Sequence, residues 1–211
     1  LLVMQPDIGQ TLLIVFSWVV LIFTSGINIF FLFGLSIFAF ISLAYLIMYV
    51  PKFDYIQSRI FSFFNRDSGT HNFQSDKAIE SITSGGYFGK GIGEGTLKNR
   101  VPEAHTDYII SVISEEFGVV AIILILLLFL MFIYMVFKKI NYEKDDKTKL
   151  VLIGCVSLIL MQATIHVGVN IRLFPTTGMT LPFLSYGGSS IVSISILSGI
   201  ILNLTKRKTE N

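Results

Sequence analysis

Phe117-Gly118-Val119-Val120-Ala121-Ile122-Ile123-Leu124-Ile125-Leu126-Leu127-Leu128-Phe129-Leu130-Met131-Phe132-Ile133-Tyr134-Met135-Val136-Phe137 is a run of 21 residues without one charged side chain. A helix needs roughly 20 predominantly apolar residues to cross a bilayer, and a charge at the bilayer centre costs about 2.5–3.5 kcal/mol on insertion scales. The run therefore reads as a membrane span. It has company: residues 8–51, 150–171 and 173–205 are equally free of Asp, Glu, Lys and Arg. The 8–51 stretch is too long for one span, and Ser25-Gly26-Ile27-Asn28 offers the break. Five helices are predicted, near 8–25, 27–50, 107–137, 150–170 and 186–205. The fold class is all-α, a polytopic integral membrane protein.

The composition agrees. The 211 residues are 53% hydrophobic and 14% charged, against about 25% charged in a soluble domain, and the mean hydropathy is +0.72. A net charge of +2 says little about partners, and nothing suggests nucleic acid. The one cysteine, Cys155, lies in an apolar run, which excludes an internal disulfide and a cysteine-rich metal site. No basic region opens the chain, so no signal peptide is read there. Leu1-Leu2-Val3-Met4 reads instead as the tail of an earlier hydrophobic segment, and the chain as part of a longer protein.

Charge also orients the spans. Lys138, Lys139, Lys144, Lys147 and Lys149 crowd one short link, and Lys206-Arg207-Lys208 follow the last run. Cytoplasmic loops are enriched in Lys and Arg. Placing the 138–149 link inside also places the C-terminus inside, because two spans separate them. Residues 1–211 then form one transmembrane domain whose 51–106 segment is a large extracytoplasmic loop. That loop carries seven basic and six acidic residues, nearly balanced. The 171–186 connection faces the same way, and so should the chemistry.

The informative motifs fall on that side. Gly85-Gly86-Tyr87-Phe88-Gly89-Lys90-Gly91-Ile92-Gly93-Glu94-Gly95-Thr96 leads to Val101-Pro102-Glu103-Ala104-His105-Thr106-Asp107-Tyr108. Farther on come Pro175-Thr176-Thr177-Gly178 and Ser185-Tyr186-Gly187-Gly188-Ser189-Ser190. The glycine run lacks the Gly-Lys-Ser/Thr ending of a phosphate loop and follows no strand. Its glycines suit tight turns and close approach, with Lys90 available as a cation. Asp107 by spacing alone reads first as a helix N-cap. On a continuous helix, Ser111, Ser114 and Gly118 fall within roughly 40° of it, a small polar stripe that either lines a cavity or lets a neighbouring helix pack closely. Glu115 and Glu116 stand near the surface, with a hydrated or salt-bridged role. Gln162, His166 and Asn170 recur every fourth residue as an inward polar stripe, read as interhelical hydrogen bonding that calls for packing partners. Arg172 suits a pyrophosphate or snorkels to lipid headgroups. The three histidines show no metal-ligand spacing.

Gln5-Pro6-Asp7-Ile8-Gly9, Pro102-Glu103-Ala104-His105-Thr106-Asp107 and Ser185-Tyr186-Gly187-Gly188-Ser189-Ser190 resemble, in order, the signature blocks of the SEDS family of bacterial cell-wall polymerases, whose members serve division (FtsW), elongation (RodA) and sporulation. Ala104 and Ser189-Ser190 lean towards the division type; Thr177, where a lysine is often found, departs from it. The resemblance implies a fold of about ten membrane helices, of which this chain supplies the last five, in the bacterial cytoplasmic membrane. It implies polymerisation of lipid II into glycan strands, with a class B penicillin-binding transpeptidase and other division proteins as partners. It places Asp107 at the family's catalytic position. Joining a sugar hydroxyl to a lipid-pyrophosphate donor needs a base for the hydroxyl proton and positive charge for the departing pyrophosphate. Glu103, His105, Lys90, Arg172, Ser111 and Ser185 complete the candidate substrate-binding set. The resemblance further implies a divalent cation, Mg or Mn, between Asp107 and the pyrophosphate, with its ligands unassigned, and no organic cofactor. Two other classes stay open: a lipid-precursor flippase, though transporters place their sites at the midplane, and a non-catalytic scaffold for the transpeptidase.

Overall fold

Asp7 and Asn28 stand just ahead of apolar runs and cap them: Asp7 accepts from the Gln10 amide and Asn28 from that of Phe30, both at 3.0 Å. The first two helices follow, α1 (Ile8–Thr24) and α2 (Ile29–Tyr49), broken where Ser25-Gly26 predicts. The computed structural model describes residues 7–64, 70–96 and 103–206. Leu1, Leu2, Val3, Met4, Gln5, Pro6, Val101, Pro102, Arg207 and Lys208, named above, lie outside these residues.

The described residues contain no strand, one short 3-10 turn (Pro51–Phe53) and five further α-helices. They are α3 (Asp54–Phe64), α4 (Thr70–Gly85), α5 (Ile109–Tyr142), α6 (Asp146–Asn170) and α7 (Gly188–Thr205). The helices α2, α5, α6 and α7 are long and apolar enough to cross a membrane, and α1 is a shorter apolar helix. Four of the five expected spans thus have spanning length, and the fifth, α1, is present as a shorter apolar helix, in a multi-pass helical membrane protein. α6 holds the centre, touching α1, α4, α5 and α7, and α4 lies along α5.

Three features depart from the sequence reading. First, the 51–106 stretch is no plain loop, since it folds into α3 and α4. Both are short and mixed in polarity, so neither shows as a span. Second, α5 starts at Ile109 rather than 107 and breaks at Gly118, whose backbone (φ 78°, ψ 178°) is non-helical. Only glycine adopts that conformation readily. The wheel that set Ser111, Ser114 and Gly118 below Asp107 assumed an unbroken helix. Third, α6 begins at Asp146, ahead of the expected 150, because Asp145 caps it by accepting from the Thr148 amide at 3.0 Å.

The 171–187 connection also goes where a surface loop would not. α6 ends in a Schellman turn: the Arg172 amide donates to Val169 O (3.1 Å) and the Leu173 amide to Gly168 O (2.7 Å). Arg172 takes the left-handed position there, with φ 58°. The chain then doubles back along α6. His166 Nδ1 meets Met179 O at 2.7 Å, and Gln162 Nε2 donates to Thr180 O at 2.9 Å and to the Ser190 hydroxyl at 3.2 Å. Irregular backbone at membrane depth is tolerated only where protein satisfies it. That is the task of the Gln162–His166–Asn170 stripe. Its bonds go mainly to this returning segment, but Gln162 also reaches Ser190 on α7 and Asn170 the Asp107 carbonyl, so the interhelical reading holds in part. His166 Nε2 and Asn170 Oδ1 are buried without a hydrogen-bond partner among the described residues.

Depth follows from helix rise. From Gly118 to Lys138, and from Asn170 back to Lys149, are about 30 Å of helix at 1.5 Å per residue, matching the hydrocarbon thickness of a bilayer. Gly118 and Asn170 therefore lie at one hydrocarbon boundary, with the lysines at the other.

Candidate active site

At the Asn170 boundary the chain makes a tight turn, 103–108. Glu103 adopts φ 56°, and its carbonyl accepts from the amides of Thr106 (3.1 Å), Asp107 (3.0 Å) and Tyr108 (3.3 Å). The Thr106 hydroxyl reaches the Glu103 carboxylate at 2.9 Å. Three outside bonds then fix the turn. Asn170 Nδ2 donates to Asp107 O (3.0 Å), the Ser185 hydroxyl to Thr106 O (2.7 Å), and the Tyr186 amide to His105 O (3.0 Å). Each clamps the backbone and leaves the Asp107 side chain to other work.

Asp107 is not a helix cap. Tyr108 takes the N-cap position of α5 without a side-chain bond. The Asp107 carboxylate instead turns towards the returning segment: a Cβ built on Gly178 would stand 3.5 Å from Oδ2. Gly9, at the start of α1, packs on the same segment, where an added Cβ would meet Met179 Cγ at 2.6 Å. The described parts of the three signature blocks, 7–9, 103–107 and 185–190, thus converge on one corner.

Burial pushes the Asp107 pKa above the ordinary carboxylate range, and the nearby Glu103 charge pushes it further. Thr106 and the Arg59 guanidinium pull it back. Arg59 is the residue that sequence reasoning missed. It sits on α3, stacked 4.3 Å over the Tyr55 ring, bonded to the Tyr55 hydroxyl, and donating to Thr176 O at 2.7 Å. Its buried Nε finds no hydrogen-bond partner among the described residues. A lone arginine one turn after a tyrosine, followed by Ile60-Phe61-Ser62-Phe63-Phe64, was the available signal, and reading 51–106 as loop hid it.

The other candidates divide. Glu103, Ser185 and His105 belong to the Asp107 turn, His105 and Glu103 exposed and Ser185 buried. Lys90 and Arg172, offered as pyrophosphate cations, each pair with another carboxylate, though Arg172 Nη2, like Arg59 Nε, is buried without a hydrogen-bond partner among the described residues. Lys90 Nζ pairs with Glu115 at 3.2 Å, and Arg172 pairs with Asp76 on α4. Neither is among the charges acting on Asp107. Ser111 is fully buried, its hydroxyl on Tyr108 O at 2.7 Å and its carbonyl accepting from Ser81 at 3.2 Å. Ser114 is likewise buried, its hydroxyl 3.4 Å from Ile82 O. Of the two readings of the small stripe, close packing against α4 is the one found.

Glu115, expected to be hydrated or salt-bridged, is the buried post round which the glycine segment wraps. Besides Lys90, it accepts from the Thr96 amide at 2.9 Å and the Ser81 hydroxyl at 3.2 Å. Gly95 passes so close that a Cβ would lie 2.9 Å from the carboxyl. No group of three or more potential metal ligands occurs among the described residues.

Fold and site together define a polytopic membrane protein with a partly buried carboxylate and an arginine at one bilayer boundary. Comparison with known proteins narrows the class. The family model of FtsW, RodA and SpoVE, described as "Cell cycle protein", matches residues 1–210, and the chain belongs to that family. It is 36% identical to the Caulobacter vibrioides protein named "Probable peptidoglycan glycosyltransferase FtsW", over 99% of this chain and 52% of that protein. It is 34% identical to stage V sporulation protein E of Bacillus subtilis, over 96% of this chain and 55% of that one. A solved structure reported as a peptidoglycan synthase complex coordinating polymerization and crosslinking superposes with a TM-score of 0.77 at 25% identity, covering 97% of this chain and 57% of its own. The chain spans about half the length of these relatives.

Proposed function

We propose that this chain supplies the catalytic carboxylate of a membrane-embedded glycosyltransferase that polymerises lipid II into glycan strands during cell division. The observation that carries the reading is Asp107 itself. It is held by its backbone at the bilayer boundary, its side chain is not used as a cap, and its pKa is raised towards that of a working base. Lipid-linked sugars present their headgroups at that depth. Asp107 takes the proton of the acceptor hydroxyl as the oxygen attacks the donor sugar, and the bond to the lipid pyrophosphate breaks. Arg59, whose charge already acts on Asp107, offsets charge on the departing pyrophosphate, the part first assigned to Lys90 and Arg172. Glu103 and His105, exposed on the same turn, contact the sugars.

A divalent cation, Mg or Mn, fits this corner. Mg is commonly held by one or two carboxylates together with substrate phosphates, and Asp107 and Glu103 already repel one another. These two residues would hold it, and it would supply further charge for the pyrophosphate. The lysine-rich link and the C-terminus lie on the cytoplasmic side of the bacterial inner membrane, and the Asp107 corner on the extracytoplasmic side. A class B penicillin-binding transpeptidase and other division proteins are the partners, in keeping with the synthase complex that the fold matches.

The test uses the complete protein reconstituted with its transpeptidase and lipid II. Asp107→Asn should lower glycan synthesis by about 10²-fold or more while insertion and partner binding persist. Glu103→Gln and His105→Gln should lose less. Glycan made at near wild-type rate by Asp107→Asn ends the assignment in favour of a scaffold. A wild type that moves lipid II without polymerising it favours the flippase.

A further inference from the structure

We propose that Tyr87, Phe88 and Ile92, at the tip of the 85–96 segment, insert into the lipid leaflet at the bundle end opposite the lysine link and anchor that end of α5 in the membrane interface. The proposal does not rest on the role of Asp107, and it holds whichever leaflet that is.

These three side chains are 78%, 85% and 78% exposed, a large apolar surface for one short turn. It is no loose loop. The Gly89 amide donates back to Gly85 O (2.8 Å), and Gly89 and Gly91 take positive φ of 78° and 114°. Four bonds then stitch the turn to α5 across its kink: Lys90 N to Glu115 O (2.9 Å), Gly91 N to Glu116 O (3.1 Å), Val119 N to Gly86 O (3.0 Å) and Val120 N to Tyr87 O (3.3 Å). An added Cβ on Gly118 would collide with the Tyr87 carbonyl. The tip therefore cannot move independently of residues 115–120.

That attachment fixes its depth. Residues 115–120 are where α5 passes from Glu115-Glu116 into the charge-free run, one hydrocarbon thickness from Lys138. The exposed face of α5 just below, including Phe117, Val120 and Leu124, continues from the tip into the span. The residue types suit the level, since amphipathic aromatic rings settle at the headgroup boundary of membrane proteins. The one cation within the tip, Lys90, is drawn back onto Glu115, so the apolar side chains lead. Lipid is the occupant that the depth, the chemistry and the continuity with a spanning face select together.

The experiment uses the full-length protein, free of other cysteines, in vesicles of phosphatidylethanolamine and phosphatidylglycerol. A nitroxide is placed by Phe88→Cys, with Leu127→Cys as the mid-span reference and Asn141→Cys as the aqueous one. Collision with oxygen, which partitions into lipid, is compared with collision with a water-soluble nickel chelate. The expected oxygen-to-nickel ratio at 88 lies well above that at 141 and approaches that at 127. A ratio equal to that at 141 places the tip in water and overturns the proposal. Poor access to both reagents shows that protein covers the tip, and overturns it equally. If Phe88→Cys does not fold, Ile92→Cys gives the same reading, its side chain being as exposed.

Discussion

At the residue scale, the environment of Asp107 dictates a pH profile. In the proposed reaction Asp107 is the general base and works deprotonated, so synthesis should fall as pH drops through its pKa in the folded protein. Burial and Glu103 raise that pKa, so activity is lost at a higher pH than an ordinary carboxylate would give. Glu103→Gln removes one raising charge and should shift the acid limb to lower pH. Arg59→Ala removes a lowering charge and should shift it to higher pH, besides slowing synthesis. Rate–pH curves of the complete protein check both signs, and equal shifts in one direction would contradict the charge assignment. The raised pKa also bears on stability. The folded state binds this proton more tightly than the unfolded one, so stability is lost as pH rises from the unfolded value through the folded one. At neutral pH, Asp107→Asn should therefore leave the melting temperature unchanged or higher, whereas loss of a cap would lower it. The carboxylate was legible because the Glu103–Asp107 block carries a resemblance. Arg59 was not, because its place beside Asp107 depends on a contact with Thr176, 117 positions away.

At the scale of elements, the break in α5 and the post at Glu115 hold the site's surroundings. Gly118→Ala puts a Cβ into the Tyr87 carbonyl and forces a backbone conformation whose strain is worth about 1–3 kcal/mol before the collision is counted. The 85–96 segment should detach and become open to protease, with a lowered melting temperature in detergent. Glu115→Gln removes the charge facing Lys90 while keeping the volume. A buried group left badly satisfied costs about 1–3 kcal/mol, and because Lys90 is partly exposed the low end of that range applies. Proteolysis within 85–96 faster than in the wild type, with the spans intact, is the expected result. The five apolar helices were legible because exclusion of charge is a one-dimensional signal. The kink was not: Gly118 sits inside an apolar run, and only the Tyr87 carbonyl lying against it reveals why glycine is there. The descent of 177–180 along α6 was hidden likewise, since Gln162, His166 and Asn170 announced polarity without naming its partner.

At the scale of the whole molecule, helix rise and charge predict an orientation that can be tested apart from catalysis. Gly118 and Asn170 share one hydrocarbon boundary, while Lys138 and Lys149 share the other. The two ends of the bundle thus differ in kind, one bearing the lysine link and the other the Asp107 corner with the 85–96 segment. The bias of Lys and Arg towards the cytoplasm predicts which end is which, since nothing in helix packing alone distinguishes the two sides of a membrane. Asn141 and Glu94 are exposed at opposite ends, and Cys155, the one native thiol of this chain, is buried within α6. In the full-length protein, with other cysteines replaced, Asn141→Cys should react with an impermeant maleimide only after the membrane is opened, and Glu94→Cys should react in intact spheroplasts. Reaction of both from outside would mean that the spans do not alternate as read. The reverse pattern would place Asp107 in the cytoplasm, away from the growing glycan, and would end the polymerase reading even if every contact around the carboxylate stood.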